Sequence, residues 1–128
     1  MIFAREVSDS LTSLVKKIDA ATVKNKDCKM GSFVVFLNDD ENFDKKLKDL
    51  AGKEELKKIA LAIDNPAGPQ AYKIAKDADV TVVLYVGSYS KGAVKANYVF
   101  KKGEMKDKDI DRVVGDLVKI LPDKQKDK

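Results

Sequence analysis

Met1-Ile-Phe-Ala-Arg-Glu-Val-Ser-Asp-Ser10 has the pattern of a short apolar strand that turns directly into an amphipathic helix. We expect the rest of the chain to pack around this junction. A strand-to-helix turn leaves free backbone N–H groups at the start of the helix, so in many folds it binds an anion or activates a nucleophile. This turn carries no cysteine, no histidine and no glycine-rich loop, which argues against nucleophilic chemistry there.

The residues that follow alternate between helical and strand patterns. Apolar residues at helical spacing predict a first helix that runs to about Val23 and is capped by Ser8 or Asp9. The later predicted elements are a strand over Gly31–Leu37, a helix from an Asn38-Asp39-Asp40 cap to Gly52 or Leu56, a strand over Lys58–Ile63, a short helix opened by Pro69, strands over Val80–Val86 and Lys95–Phe100, and a last helix from Asp107 to Pro122.

The order β-α-β-α-β-α-β-β-α predicts a single α/β domain over residues 1–122. We expect a mixed five-stranded sheet flanked by four helices, with helices on both faces. The early strand–helix–strand units should be parallel and right-handed, and the last two strands should be antiparallel. Asp123–Lys128 contains no apolar residue, so we expect a disordered, charged tail.

Composition limits the classes of function that the chain can serve. Its 128 residues suit one domain, and no apolar run is long enough to span a bilayer. The formal charge is +4, but the lysines alternate with acidic residues, as on a solvated helix surface, and no basic-aromatic cluster indicates nucleic-acid binding. Binding of polyanions by the lysine-rich surface is one alternative function.

The cysteine and histidine counts exclude several kinds of chemistry. Cys28 is the single cysteine, which rules out an intramolecular disulfide and any CxxC motif for redox chemistry or zinc. The sequence contains no histidine, so a Ser–His or Cys–His nucleophile pair cannot form within one chain.

Three stretches carry a family resemblance: Asp64-Asn-Pro-Ala-Gly-Pro-Gln-Ala-Tyr-Lys-Ile-Ala75, Asp79-Val-Thr-Val-Val-Leu-Tyr85 and Phe100-Lys-Lys-Gly-Glu104. They are similar to the aspartate–proline–glycine turn with its helix, the strand after the cis-proline, and the hairpin turn of the thioredoxin-like superfamily. These stretches and the order of elements make the chain similar to the longer redoxins. Those proteins are the thioredoxin-like reductases and peroxiredoxins, which insert one extra strand–helix unit. The resemblance implies a thioredoxin-like fold over nearly the whole chain.

The resemblance also implies where a redox site would lie. The family places a CxxC motif or a peroxidatic cysteine at the start of the helix after the first strand, which corresponds here to Val7-Ser8-Asp9-Ser10, give or take a residue. The family's cis-proline corresponds to Val80, immediately before Thr81. A cis bond before valine would cost about 3 kcal/mol, so we expect a trans bond.

An alternative register leads to the same conclusion. If Phe33–Leu37 were the motif strand, the motif would fall on Asp40-Glu-Asn-Phe43, which also lacks cysteine. Thiol–disulfide exchange and peroxide reduction both need a thiolate, and a serine without a base cannot replace it. The resemblance therefore implies the scaffold without the redox site.

Two interpretations of the residues at the first strand-to-helix turn remain open. They form either a capping cluster with a surface ion pair, or a binding surface on the edge that carries the redox motif in the family. The candidate surface consists of Arg5, Glu6, Ser8, Asp9, Ser10, Val80, Thr81 and, on a loop, Tyr89. An exposed aromatic on a loop is a modest indication of protein contact.

Cys28 and a group of acidic residues are the other candidate sites. Cys28 is either an incidental thiol or a displaced redox thiol. Asp39, Asp40, Glu41 and Asp44 lack the spacing of a calcium loop and are more typical of a helix start, so we expect no metal site and no cofactor.

The sequence predicts a redox-inactive, thioredoxin-like binding module, with a thiol oxidoreductase or peroxidase that uses Cys28 as the alternative. The expected partner is another protein, contacted through the edge described above. The sequence does not indicate the oligomeric state or the compartment. Because the family usually has a hairpin before its motif strand, we expect the native polypeptide to extend upstream of Met1, and an export signal there is one alternative.

Overall fold

The computed structural model describes residues 1–25, 27, 30–68, 74–86 and 93–121. Within them the chain forms five strands and three helices. In chain order these are β1 (Ile2–Ala4), α1 (Asp9–Lys24), β2 (Phe33–Leu37), α2 (Phe43–Lys53), β3 (Ala60–Asp64), β4 (Val80–Val86), β5 (Ala93–Phe100) and α3 (Asp107–Ile120).

The five strands form one mixed sheet in the order β3-β2-β1-β4-β5. β1 pairs parallel with β2, and β2 pairs parallel with β3, whereas β4 is antiparallel to both β1 and β5. The predicted α/β class, mixed five-stranded sheet and antiparallel last pair are confirmed. The short first strand occupies the centre of the sheet.

The main hydrophobic core lies on one face of the sheet. Alternate strand residues such as Ile2, Val34 and Val82 point to this face because side chains alternate along a strand. All three described helices pack on it, with Leu14 from α1 and Ile110 from α3 fully buried there. The periodic apolar residues of the three helices therefore serve a single core.

The opposite face carries a smaller cluster of Phe3, Leu37 and Val83, against which Ile74 packs. We expected helices on both faces, but every helix within the described ranges lies on the first face. The predicted short helix opened by Pro69 falls on residues 69–73, outside the described residues, so four helices are not established. Residues 122–128, which include the predicted disordered tail, also lie outside the described part of the chain.

Polar contacts attach the helices to the sheet. The Tyr98 hydroxyl on β5 donates a hydrogen bond to the Asp116 carboxylate on α3, and the Arg112 guanidinium lies 5.3 Å from the centre of the Tyr98 ring. Asp19 of α1 accepts hydrogen bonds from the backbone just before β3. None of the helices that the structure describes is both long and apolar enough to cross a membrane.

Candidate functional site

The candidate site lies where the end of β1, the start of α1 and the start of β4 meet. The Arg5 backbone N–H donates to the Asp79 carbonyl oxygen at 3.1 Å, which joins the residue after β1 to the residue before β4. The two stretches that the sequence singled out, Arg5–Ser10 and Val80–Thr81, are therefore neighbours in the fold.

The Arg5 guanidinium is fixed by three backbone carbonyl groups. Nε donates to the Ala78 oxygen at 2.9 Å, Nη1 to the Pro66 oxygen at 2.7 Å and Nη2 to the Ala75 oxygen at 3.1 Å. Guanidinium has five N–H donors in a rigid fork, so these bonds fix its plane as well as its position. Arg5 therefore holds two chain segments against the end of β1.

The Asp64–Gly68 turn presents one of those carbonyls. The Asn65 side-chain oxygen accepts hydrogen bonds from the N–H groups of Ala67 and Gly68 at 3.0 and 3.2 Å. Gly68 has a φ of +73°, and a Cβ atom there would lie 3.3 Å from Ile74 Cγ1. Glycine is needed at this position both for the backbone angle and for the close packing.

Ser8 starts α1 as its N-cap. Its side-chain oxygen accepts a hydrogen bond from the Leu11 N–H at 3.2 Å, and its carbonyl oxygen accepts one from the Thr12 hydroxyl at 2.8 Å. This confirms the capping prediction for Ser8. The hydroxyl thus satisfies a helix N–H group that would otherwise lack an intrahelical partner.

Charged groups surround this cap. Glu6 forms an ion pair with Lys102 at 3.9 Å, and Asp9 is exposed in the first turn of α1. Burial raises the pKa of Asp79, and the nearby Glu6 carboxylate raises it further, against smaller opposite effects of Lys102 and Arg5. The surface at the start of α1 therefore carries several carboxylates beside one exposed lysine, and Lys102 was not among the residues singled out from the sequence.

Val80 and Thr81 do not contribute exposed side chains to the candidate surface. They are only 2% and 5% exposed, and Val80 belongs to the main core on the helix side of the sheet. The peptide bond before Val80 is trans, as expected, since no cis bond occurs among the described residues. Tyr89 and Cys28 lie outside the described part of the chain, so their proposed roles remain predictions.

The acidic residues before α2 form a turn. The Asp40 N–H donates to the Asn38 side-chain oxygen at 2.8 Å, and the Asn42 N–H donates to the Asp40 carboxylate at 2.9 Å. The predicted cap at Asn38–Asp40 is wrong in position, because Asn42 is the residue that precedes α2 and its side chain makes no capping bond. Within the described ranges, no group of three or more acidic, histidine or cysteine residues could hold a metal ion.

Asn38 belongs to the site, although sequence analysis treated it only as a helix cap. Its side-chain amide donates to the Arg5 carbonyl oxygen at 3.0 Å, and its backbone N–H donates to the Asp64 oxygen at 3.1 Å. Its position directly after a buried strand was the available signal, since the carboxyl ends of parallel strands meet at one edge.

A separate groove of about 390 Å³ lies near the other end of β1, lined by Met1, Ile18, Met30, Val83 and Ile120 among others. None of the candidate surface residues from Arg5 to Ser10 lines it. This apolar groove is therefore distinct from the start of α1.

Comparison of the chain with family models, with curated proteins and with solved structures found no match. The fold and the site define an α/β protein with a mixed sheet, whose central strand leads into a helix capped by serine. At that cap the described residues supply hydrogen bonds and carboxylates, and the sequence supplies neither a thiol nor an imidazole there.

Proposed function

We propose that this chain is a thioredoxin-like domain that carries out no thiol redox chemistry and binds another protein. The order of its elements, with a central strand leading into α1 and an antiparallel β4 that begins beside the same turn, supports the proposed relationship. The single observation that carries the proposed function is the start of α1, where the resemblance implies a redox motif and Ser8 instead caps the helix.

The chemistry available at the start of α1 supports a non-catalytic role. A thiolate at a helix start is activated because the N–H groups and the helix dipole lower its pKa. Serine ionises far above neutral pH, so it needs a base, and the chain has no histidine. With its oxygen accepting the Leu11 N–H, the Ser8 hydroxyl is a structural group.

The proposed contact surface is the exposed part of the Arg5–Ser10 turn. Glu6, Val7 and Asp9 are exposed there, and the half-buried Ser8 and Ser10 lie between or beside them. An apolar side chain between two carboxylates suits a partner that offers an apolar patch with lysine or arginine at its rim, since complementary charge guides protein association. Arg5 holds this turn in place through its carbonyl contacts.

Site-specific photo-crosslinking tests the proposed surface. A photoreactive residue at Val7 is expected to give a discrete adduct in extracts of the native cell, and excess unlabelled domain should compete for it. The Glu6→Lys/Asp9→Lys pair is expected to reduce the adduct about tenfold by reversing both charges. The same label at Asp49, exposed on α2, is the matched control and should give no such adduct.

Equal adducts from positions 7 and 49, or an adduct at position 7 that is insensitive to the double charge reversal, would contradict binding through the start of α1. Circular dichroism of each variant establishes that the domain is folded.

A further inference from the structure

β3 lies at one edge of the five-stranded sheet. The Ala60 N–H donates to the Ser32 oxygen at 3.1 Å, and the Asp64 oxygen accepts the Asn38 N–H at 3.1 Å. Because alternate residues of a strand bond to opposite neighbours, the N–H and C=O groups of Leu61 and Ile63 face away from β2. No described residue pairs with them, since β3 ends the strand order.

This edge lacks the features that usually prevent strand addition. Edge strands are commonly protected by charged residues, proline or bulges. The other edge strand, β5, carries Lys95 and a register irregularity opposite Leu84 and Tyr85. The Ala60–Ile63 stretch of β3 has neither, which makes it the more suitable edge for pairing.

An apolar groove of about 430 Å³ runs between α2 and this edge. Leu47 and Leu61 are among the residues that line it, and Ile63 at its margin is 43% exposed. A partner strand added to β3 would continue the floor of the groove and cover these side chains. Exposed apolar surface beside an unpaired strand is typical of an interface.

We propose that β3 pairs antiparallel with β3 of a second copy of this chain, across a two-fold axis at Ala62. In this register Leu61 lies opposite Ile63 of the second copy, and each such pair exchanges both backbone hydrogen bonds. The apolar side chains of Leu61 and Ile63 then pair on the helix side. Ala62 meets its own counterpart, and its small side chain allows close approach.

The charges at the two ends of β3 favour a second copy over an unrelated strand. Asp44 and Asp64 lie at the carboxyl end of β3, whereas Lys57 and Lys58 precede its amino end. An antiparallel arrangement brings each acidic end beside the basic end of the other copy. The edge is therefore complementary to itself, as a two-fold interface requires.

Sedimentation equilibrium of the full chain, over about a 100-fold range of concentration, tests the pairing. We expect a monomer–dimer equilibrium whose dissociation constant rises at least about tenfold in Ala62→Lys, because two like charges would meet on the axis. Val99→Lys, at an exposed position of β5, is the matched control and should leave the equilibrium unchanged. A monomer at every concentration, or a dimer unaffected by Ala62→Lys, would overturn the proposal.

A disulfide test fixes the register independently. In a Cys28→Ser background, Ala62→Cys is expected to form a covalent dimer when oxidised glutathione accepts the two electrons, because the paired positions meet at the axis. Ala60→Cys, at a position that is also exposed but opposite Asp64 of the second copy, should crosslink at least about tenfold more slowly. Equal rates at the two positions would refute the proposed register.

Discussion

Replacement of Asp19 by asparagine is expected to lower the free energy of unfolding by about 3 kcal/mol. Asp19 lies on α1 and is 7% exposed. Its carboxylate accepts hydrogen bonds from the N–H groups of Lys57 at 3.0 Å, Lys58 at 2.7 Å and Ile59 at 2.9 Å. An asparagine amide has one acceptor oxygen, and its NH₂ group would face N–H donors, so part of this set would be lost.

The stability lost in Asp19→Asn should become smaller at low pH. Burial opposes ionisation of Asp19, but the hydrogen bonds from Ile59, Lys58 and Lys57 outweigh it and lower its pKa below the usual value of an aspartate. Because the folded pKa is below the unfolded one, the stabilisation is fully present above the unfolded pKa and is lost as the pH falls through the folded value. The difference between the wild type and Asp19→Asn should therefore shrink below about pH 4.

Urea denaturation at neutral pH and at pH 3 measures both effects. Asp49→Asn, on the exposed side of α2, is the matched control and should change stability by less than about 0.5 kcal/mol. A neutral-pH loss no larger than that of the control would show that the Asp19 contacts contribute little.

The second large effect is expected at Arg5. Arg5→Lys should lower the free energy of unfolding by about 2 kcal/mol, because one ammonium group cannot reach three carbonyls arranged for a planar fork. The three acceptors belong to Pro66, Ala75 and Ala78. The loss should be accompanied by faster amide exchange at Gly68 and Ala78, whose segments Arg5 holds against β1.

The control for Arg5 is the other arginine of the chain. Arg112→Lys keeps a cation near the Tyr98 ring, so we expect a change below about 0.5 kcal/mol. Urea denaturation and hydrogen exchange of both variants make the comparison. Equal effects of the two substitutions would mean that the carbonyl contacts of Arg5 do not stabilise the turn.

Local pattern was sufficient to predict most of the fold. The high β-propensity of Val80–Val86 and the helical spacing around Leu14 and Ile110 depend on residues close together in the sequence, and these elements formed where expected. The central place of β1 in the sheet agrees with the expectation that the chain packs around the junction between β1 and α1. The distribution of the helices is not settled by the described residues: three helices pack on one face, and the fourth predicted helix falls on residues 69–73, outside the described part. Sequence periodicity shows that a helix has an apolar face but not which face of the sheet receives it.

The candidate site was predictable only in part, because many of its contacts join residues that are far apart in the sequence. The cap at Ser8 is a local signal, whereas the contacts of Arg5 with residues 66, 75 and 78 and of Asp19 with residues 57–59 join distant parts of the chain. The burial of Val80 likewise depends on the core residues that distant elements bring to the helix side of the sheet. Such contacts follow from topology, which residue spacing alone does not specify.

The most direct test of the proposed function is a thiol activity assay on the wild type and Cys28→Ser. With dithiothreitol as the reductant, we expect neither protein to accelerate insulin disulfide reduction or hydrogen peroxide consumption above the protein-free rate. A redoxin that contains CxxC serves as the positive control for insulin reduction. Activity in the wild type that disappears in Cys28→Ser would contradict the redox-inactive function and establish the lone cysteine as a redox thiol.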